Sequence, residues 1–344
     1  MKPDFYNGFT VYKNPNPRNG LVFIMPHSGP ALETPVSRDD NSETVGSLCA
    51  MELGGHMVIS NVSRKPIYGI DFNRDIPTKE MALKYYPVFV EDKERLKLKK
   101  YRDRYGWVAK DTGDYYSRLR TYKQFWSIAK GLGSFYVLMH RKLPRIKNYP
   151  SVMDIATFGG RGIDQKVLKT IVDEVNNERT FFKTVAGHYK DSIVLEESRV
   201  VNRIEQIFSE FSLRKIQIEY KENIMQDLKA IRRHADKRFY GRLKKNFTKK
   251  NFLMCVRNAL RNAPDPLITM DTIFKGELSF GPKKQLDIDN RNIVMQIELN
   301  EFFSRFYPND AAEIISHIIT KIKSVEKYKS LGLTQTEMLK FLKV

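Results

Sequence analysis

Short apolar runs bounded by polar turns recur along this chain and predict buried β-strands. Val22–Met25 ends in a polar loop that continues through Ser42, and the stretch HMVISNVSR predicts a second strand. Gly133–His140, the start of VMDIATFGGRG and Asn292–Asn300 are further apolar runs of strand length. Strands that are apolar throughout are typical of sheets covered by helices on both faces.

Segments with helical spacing alternate with these strands. Glu43–Leu53 repeats apolar residues at helical intervals and stops at two glycines, as many helices do. The charged, tyrosine-rich segment Glu91–Lys123 predicts helices with breaks at Gly106 and Gly113. Because strands alternate with helices, the sequence predicts an α/β fold whose mixed, mainly parallel sheet is flanked by helices. Further helices are predicted at Gln165–Asn176, Ala311–Ser324 and Thr334–Leu342.

The pattern changes between residues 191 and 264, where strand signals give way to long, charged helical segments. Lys229–Arg261 holds twelve Lys or Arg residues and one Asp, a net charge of +11. Apolar side chains recur there at helical intervals, so we expect amphipathic helices with a basic outer face. The predicted organisation is a catalytic α/β domain formed by residues 1–190 and 265–344, interrupted by a basic helical insertion at residues 191–264.

Composition narrows the class of protein. The 344 residues are 41% hydrophobic and 12% aromatic, enough for a sizeable core. Lys and Arg outnumber Asp and Glu by 59 to 40, and the net charge of +19 favours an anionic partner. The two cysteines, Cys49 and Cys255, form no C-x-x-C motif, so neither a disulfide framework nor a cysteine zinc site is expected. Without a secretory signal or a membrane-spanning run, we expect a soluble, cytoplasmic protein with no membrane partner.

Three of the predicted strands end in, or carry, an ionisable side chain: His27, His140 and Glu298. Two histidines and one carboxylate are a typical ligand set for catalytic Zn2+, which keeps one position open for water. A buried carboxylate such as Glu298 is costly unless paired, and it would serve as the general base for that water. The acidic metal ligand should come from the loop after His27, where four carboxylates compete: Glu33, Asp39, Asp40 and Glu43.

A second polar cluster follows the second predicted strand. The stretch SRKPIYGIDFNRD contains Arg64, Asp71, Asn73 and Arg74. Arginine can grip a carboxylate through two parallel hydrogen bonds, and asparagine can add another. The cluster therefore predicts a site for a substrate with a free carboxylate. The alternative is a surface ion pair between Arg74 and a neighbouring aspartate.

The order of these motifs resembles that of the N-formylglutamate amidohydrolase family. PHSG, SRKPIYGIDFNRD, VLMHRKLP with VMDIATFGG, and VMQIELNEFF follow one another as in that family. The similarity covers Val22–Asp75, Gly133–His188 and Lys275–Tyr307. It implies the fold of the zinc carboxypeptidase-like hydrolases, a mixed sheet sandwiched by helices. It also implies hydrolysis of the amide bond in an N-acyl amino acid or short peptide.

Carried over by position, the resemblance implies that His27 and His140 bind Zn2+ and that Glu298 is the catalytic carboxylate. It favours Glu43 over Glu33 as the acidic ligand, because this ligand directly precedes a helix in the related carboxypeptidases.

For the substrate, the resemblance implies that Asn73 and Arg74 hold its free carboxylate. Arg64 is expected to polarise the scissile carbonyl or to orient the substrate. The stretch VLMHRK departs from the family pattern at Leu138 and Arg141. A degenerate member that binds ligand without turnover is therefore a further alternative.

A hypothesis of another class makes nucleic-acid binding the function, through Lys229–Arg261. Basic side chains neutralise phosphates, and Phe239, Tyr240 and Phe247 among them could stack on unpaired bases. The two functions are compatible, since a hydrolase could use the insertion to hold a charged macromolecular substrate such as aminoacylated RNA. The nucleic-acid candidates are Arg232, Arg233, Lys237, Arg238, Lys244 and Lys245.

Overall fold

The structure is a computed structural model. It describes residues 1–17, 20–31, 38–91, 95–142, 151–178, 221–263, 267–272, 274–288 and 292–330, with short helical pieces between residues 197 and 209. Glu33 and the helix predicted at Thr334–Leu342 lie outside the described residues. The strands are β1 (Lys2–Tyr6), β2 (Phe9–Lys13), β3 (Leu21–Met25), β4 (His56–Ser60), β5 (Phe135–Lys142), β6 (Ser151–Ala156), β7 (Leu267–Met270) and β8 (Ile293–Asn300).

The sheet is mixed and mostly parallel, with strand order β1-β2-β4-β3-β5-β8-β6-β7. β3 pairs in parallel with β4 on one side and with β5 on the other, whereas β1 and β2 form an antiparallel edge. Every residue of β3 and of β5 is buried, which explains why these strands are apolar along most of their length. The predicted α/β class is confirmed.

Helices flank this sheet. They are α1 (Ser42–Leu53), α2 (Lys79–Glu91), α3 (Arg95–Arg104), α4 (Thr112–Gly131), α5 (Gln165–Asn177), α6 (Lys221–His234), α7 (Lys237–Lys245), α8 (Lys249–Arg261), α9 (Phe280–Gln285), α10 (Glu301–Phe306) and α11 (Pro308–Ser330). None of the described helices is both long and apolar enough to cross a bilayer.

α1 returns the chain from β3 to β4 and confirms the helix predicted at Glu43–Leu53. It ends at Gly54, whose φ of 73° lies in the left-handed region and whose N–H donates to the Ala50 carbonyl. Gly46 lets the helix approach β3 closely, because a Cβ there would lie 2.9 Å from the sulfur of Met25. The N-terminal turns of α1 therefore pack near the end of β3.

Of the two helix breaks predicted by glycines, that at Gly106 is confirmed and that at Gly113 is wrong. α3 ends at Arg104 and α4 begins at Thr112, so Gly106 lies in the connection between them. Gly113 lies in the first turn of α4, where the Asp111 side chain accepts a hydrogen bond from a backbone N–H and caps the helix.

The chain forms two compact units. The first consists of Met1–Arg141, Asp154–Val175 and Met270–Val344, and the second of Lys142–Met153 and Asn176–Thr269. The second unit includes the residues of the predicted insertion, 191–264, together with further segments. Within it, α8 packs against both α6 and α7.

Candidate metal centre

Neighbouring parallel strands bring His27 and His140 to the same end of the sheet. β3 ends at Met25, two residues before His27, and Leu138 of β5, which pairs with Ile24, lies two residues before His140. The carboxyl ends of parallel strands meet at one edge of a sheet, where open α/β folds build their sites. The two imidazole rings accordingly lie against each other, with centroids 4.6 Å apart.

Asp39 completes a compact group with the two histidines. Its Oδ2 lies 3.0 Å from Nδ1 of His27 and 2.9 Å from Nδ1 of His140, and the two nitrogens are 3.1 Å apart. All three side chains are buried. A tetrahedral Zn2+ ion with bonds of about 2.0–2.1 Å separates its ligand atoms by about 3.3 Å, so the observed spacing fits a small divalent cation. The structure thus contains a buried His27–Asp39–His140 group that could hold a metal ion.

Asp71 determines which nitrogen of His27 faces Asp39. Its Oδ1 lies 2.8 Å from Nε2 of His27 and accepts a hydrogen bond from the backbone N–H of Asn73 at 3.0 Å. An ionised carboxylate only accepts hydrogen bonds, so Nε2 of His27 donates to Asp71, and Nδ1 is the nitrogen that faces Asp39. A lone pair facing a carboxylate oxygen is unfavourable unless a cation or a second proton lies between them. A metal ion would relieve that repulsion.

Glu43 is not the carboxylate of this group, which corrects the expectation drawn from the family resemblance. Glu43 lies in the first turn of α1 and accepts a hydrogen bond from the guanidinium of Arg38. Asp39 takes the position because its backbone N–H donates to the His27 carbonyl at 3.0 Å and draws the end of the loop back to the histidine. Asp40 lies 3.3 Å from Arg38 and is likewise outside the group.

Arg64 approaches both carboxylates that contact His27. Its Nη1 lies 3.4 Å from Oδ1 of Asp39, and its Nε lies 3.6 Å from Oδ2 of Asp71. Burial alone would raise the pKa values of both aspartates. His27 outweighs burial together with His140 at Asp39, with Arg74 at Asp71 and with Arg64 at both, so these pKa values lie below the usual aspartate range. Burial opposes the charge of Arg64 too, yet Asp71, Asp39 and Glu298 raise its pKa. The side chain remains 25% exposed.

Glu298 lies in β8 at one end of a chain of hydrogen bonds. Its Oε1 accepts from the amide of Gln296 at 2.6 Å, and Gln296 accepts from the hydroxyl of Ser279 at 2.7 Å. Ser279 in turn accepts from the amide of Asn73 at 3.1 Å. All four side chains are buried, and Oδ1 of Asn73 has no hydrogen-bond partner among the described residues. The chain joins the candidate general base to a candidate substrate-binding residue.

The Arg74 guanidinium donates hydrogen bonds to two backbone carbonyls. Its Nε donates to the Arg102 carbonyl at 3.0 Å and its Nη1 to the Leu278 carbonyl at 2.8 Å. Arg74 is also only 9% exposed. It therefore offers a substrate fewer free donors than Arg64 does.

The predicted nucleic-acid residues lie in the second unit, on α6 and α7, and every one of them is exposed. Phe239, Tyr240 and Phe247, expected to stack on bases, are only partly exposed. Phe247 packs edge-on against Phe252, with ring centroids 5.9 Å apart. The six basic residues are Arg232, Arg233, Lys237, Arg238, Lys244 and Lys245.

The sequence reasoning missed the contact between Asp71 and His27. It grouped Asp71 with the substrate cluster, because Asp71 lies in the stretch SRKPIYGIDFNRD, 44 residues after the histidine. This contact could have been predicted from the pairing of neighbouring strands. Asp71 follows β4, and β4 pairs directly with β3, the strand that delivers His27.

Comparison with known proteins shows no family. No protein-family model matches the chain, and no curated protein matches it. Among solved structures, the chain is similar to the crystal structure of gene product Atu2144 from Agrobacterium tumefaciens, with 9% sequence identity and a TM-score of 0.48. The likeness covers 94% of this chain and 97% of the other. At this level of identity and superposition it carries no conclusion about function.

Proposed function

We propose that this protein is a metal-dependent hydrolase that cleaves the amide bond of an N-acyl amino acid or short peptide. The observation that carries the proposal is the convergence of three ligand atoms, Nδ1 of His27, Nδ1 of His140 and Oδ2 of Asp39, within 3.1 Å of one another. Two imidazoles and a carboxylate suit Zn2+, which we propose as the resident ion. The motif resemblance to the N-formylglutamate amidohydrolase family supports the same class of reaction.

His27, Asp39 and His140 would hold this ion, and Asp71 would keep the His27 ring in its binding orientation. The ion would act as a Lewis acid, which would polarise the carbonyl group of the substrate and lower the pKa of water. A set of three protein ligands is typical of catalytic zinc sites, whereas structural zinc sites use four.

Glu298 is the proposed general base. β8 lies next to β5, the strand that carries one metal ligand. The charges of Glu298, Asp39 and Asp71 all raise the pKa of Arg64, so the three carboxylates lie within electrostatic reach of one guanidinium. Gln296 orients the Glu298 carboxylate. In the proposed reaction Glu298 takes a proton from the attacking water and returns it to the leaving amine.

Arg64 is the proposed anchor for the anionic end of the substrate, because it is cationic, partly exposed and next to Asp39. Asn73 donates an amide N–H to Ser279, and its Oδ1 has no hydrogen-bond partner among the described residues, so this oxygen would accept the N–H of the scissile amide. Arg74 would support the anchor through its remaining donor atoms.

Metal content tests the proposal directly. Wild-type protein treated with excess Zn2+ and then desalted should retain about one ion per chain by mass spectrometry of the metal, as three protein ligands predict. His27→Ala, His140→Ala and Asp39→Ala should lose the ion. Glu43→Ala and His234→Ala, which change residues outside the group, should keep it. Full retention in the His27 and Asp39 variants would refute the site.

Amide hydrolysis is measured on a panel of N-formyl and N-acetyl amino acids by detecting the released amine. Metal-loaded Glu298→Gln should keep its ion and lose about 100-fold or more in kcat, since it lacks the general base. Arg64→Ala should raise KM for substrates with a free carboxylate more than for their amides. A metal-loaded wild-type protein that releases no amine from the panel would contradict the proposed reaction.

A further inference from the structure

A strongly basic surface lies on α6, α7 and α8. Lys229–Arg261 contains twelve Lys and Arg residues, and every one of them is exposed. Asp236 is the one acidic residue of this segment, whose net charge of +11 is more than half of the chain's +19. We call the exposed basic residues of Lys229–Arg261 the basic surface. Most of the excess charge of the protein is thus carried by three consecutive helices.

The large apolar side chains of Lys229–Arg261 are buried or partly buried. Ile231, Leu243, Phe252 and Val256 are buried, and α8 packs against the other two helices. Within Lys229–Arg261, all of which the structure describes, no large hydrophobic side chain is exposed. The segment therefore has no free apolar face with which to enter a lipid bilayer.

The α7 helix separates its two kinds of residue sharply. At 3.6 residues per turn, its basic residues fall on one side, and Phe239, Tyr240 and Leu243 fall on the other. The basic residues are Lys237, Arg238, Arg242, Lys244 and Lys245.

Few members of the basic surface pair with an acidic side chain among the residues that the structure describes. Arg257 and Arg261 lie 3.9 Å and 3.6 Å from Glu197, and among the described residues no other member of the surface forms an ion pair. Arg238 and Arg242 form a like-charge pair one helical turn apart, which is unfavourable. Helices elsewhere in the chain balance such charges, in the pairs Lys99–Asp103, Arg118–Asp114 and Lys169–Asp173.

We propose that the basic surface binds the sugar–phosphate backbone of double-stranded nucleic acid without sequence preference. A duplex presents phosphates at regular spacing, and their neutralisation by Lys and Arg releases counterions. The aromatic residues of the segment are at least half-buried, so contacts to the backbone are favoured over stacking on unpaired bases.

Fluorescence anisotropy with labelled duplex DNA and duplex RNA of scrambled sequence tests the proposal. Neutralising about four phosphates predicts an affinity loss of about 100-fold between about 50 mM and 200 mM monovalent salt. Saturable binding to either duplex with this salt dependence is the expected result, and it should persist in His27→Ala, because the surface does not require the metal group.

A quadruple charge-reversal variant on α7 locates the binding surface. It should weaken binding by about tenfold or more, because several phosphate contacts are lost. A matched control reverses four exposed basic residues of the first unit, has the same net charge and should bind like the wild type. A quadruple glutamine variant at the α7 positions, with an unchanged thermal melt, excludes misfolding as the cause. The α7 changes are Lys237→Glu, Arg238→Glu, Lys244→Glu and Lys245→Glu. The control changes are Lys84→Glu, Lys110→Glu, Arg120→Glu and Lys123→Glu.

Four results would overturn the proposal. These are the absence of saturable binding at low salt, an affinity that does not change with salt, and equal losses in the α7 and control variants. The fourth is tighter binding to vesicles of anionic phospholipid or to polyglutamate than to either duplex.

Discussion

Asp71 sets the orientation of one proposed metal ligand while contacting only the far side of its ring. Its Oδ1 lies 2.8 Å from Nε2 of His27, whereas Asp39 and His140 approach Nδ1. A carboxylate in this position fixes the tautomer of a metal-binding imidazole and makes it a stronger ligand. The site therefore depends on a residue that is not itself a proposed ligand.

Removing this carboxylate should weaken metal binding without abolishing it. We expect Asp71→Ala to lower the Zn2+ affinity by about 10- to 100-fold, because His27 loses its orienting partner. Competition with a chelator of known affinity measures the change. Asp173→Ala removes an exposed carboxylate paired with Lys169 on α5 and should leave the affinity unchanged. An Asp71→Ala variant with wild-type affinity would show that the contact does not orient the ligand.

The sequence predicted the meeting of His27 and His140, because each follows or ends an apolar run and parallel strands share an edge. It left the acidic partner open, and the family resemblance pointed to Glu43. The choice of Asp39 depends on a backbone hydrogen bond from Asp39 to the His27 carbonyl across the loop. No local periodicity encodes such a contact, because loop paths are set by tertiary hydrogen bonds.

At the scale of elements, α4 holds the loop that carries Arg64 and the rest of the second polar cluster. This loop connects β4 to α2. The guanidinium of Arg118 donates to three of its carbonyls at 2.6–3.2 Å, while Asp114 accepts from the same guanidinium at 2.8 Å. A charged donor on a helix thus fixes the part of the loop between Arg64 and Asp71. The three carbonyls belong to Pro66, Ile67 and Gly69.

Arg118→Ala should destabilise both the fold and the metal group. Losing several hydrogen bonds from a charged donor should lower the free energy of unfolding by about 2–4 kcal/mol, and the freed loop should hold Asp71 less firmly. Urea denaturation and the chelator competition measure the two effects. Arg120→Ala changes an exposed residue of the same helix and should shift the unfolding free energy by less than about 0.5 kcal/mol. Equal effects of the two substitutions would contradict the bracing role of Arg118.

The elements that the sequence predicted are those with long apolar or amphipathic patterns. β3, β5 and β8 were found because nearly all of their residues are buried. β1 was missed because it forms an edge with mostly exposed residues and carries no apolar run. β2 was missed because its five residues, FTVYK, mix apolar and polar side chains and contain no apolar run. β7, with four residues, is too short for its pattern to be read. The strands β3, β5 and β8 could thus be predicted from the sequence because they are buried on both faces.

At the scale of the whole molecule, the two units use charge in different ways. In the first unit, the buried carboxylates of Asp39 and Asp71 lie next to His27 and the Arg64 guanidinium at the candidate metal centre. In the second, the basic surface is exposed, and within the described part of the chain only Arg257 and Arg261 of this surface form ion pairs. The charge and the helical spacing of Lys229–Arg261 predicted this exposure, because long cationic side chains are almost never buried without a partner. The arrangement in the first unit required the fold to bring distant residues together.

Acid should destabilise the metal-free protein through Asp39 and Asp71. Their folded-state pKa values lie below the unfolded value of about 3.9, so the unfolded chain binds protons first as the pH falls. The stability that these carboxylates contribute is therefore complete above about pH 5 and is lost as the pH falls below about 4. Protonation also increases the net positive charge, which is already +19 at pH 7, and so adds repulsion.

Urea titrations in the presence of a chelator measure this loss as a fall in the free energy of unfolding between about pH 5 and pH 3. The double variant Asp39→Asn, Asp71→Asn cannot take up protons at these positions and should show a shallower fall. Asp173→Asn, at an exposed position of α5, is the matched control and should fall as steeply as the wild type. The slope of the unfolding free energy against pH counts the protons that the unfolded state takes up in excess of the folded state. An equally steep fall in the double variant would therefore assign the acid sensitivity to other carboxylates.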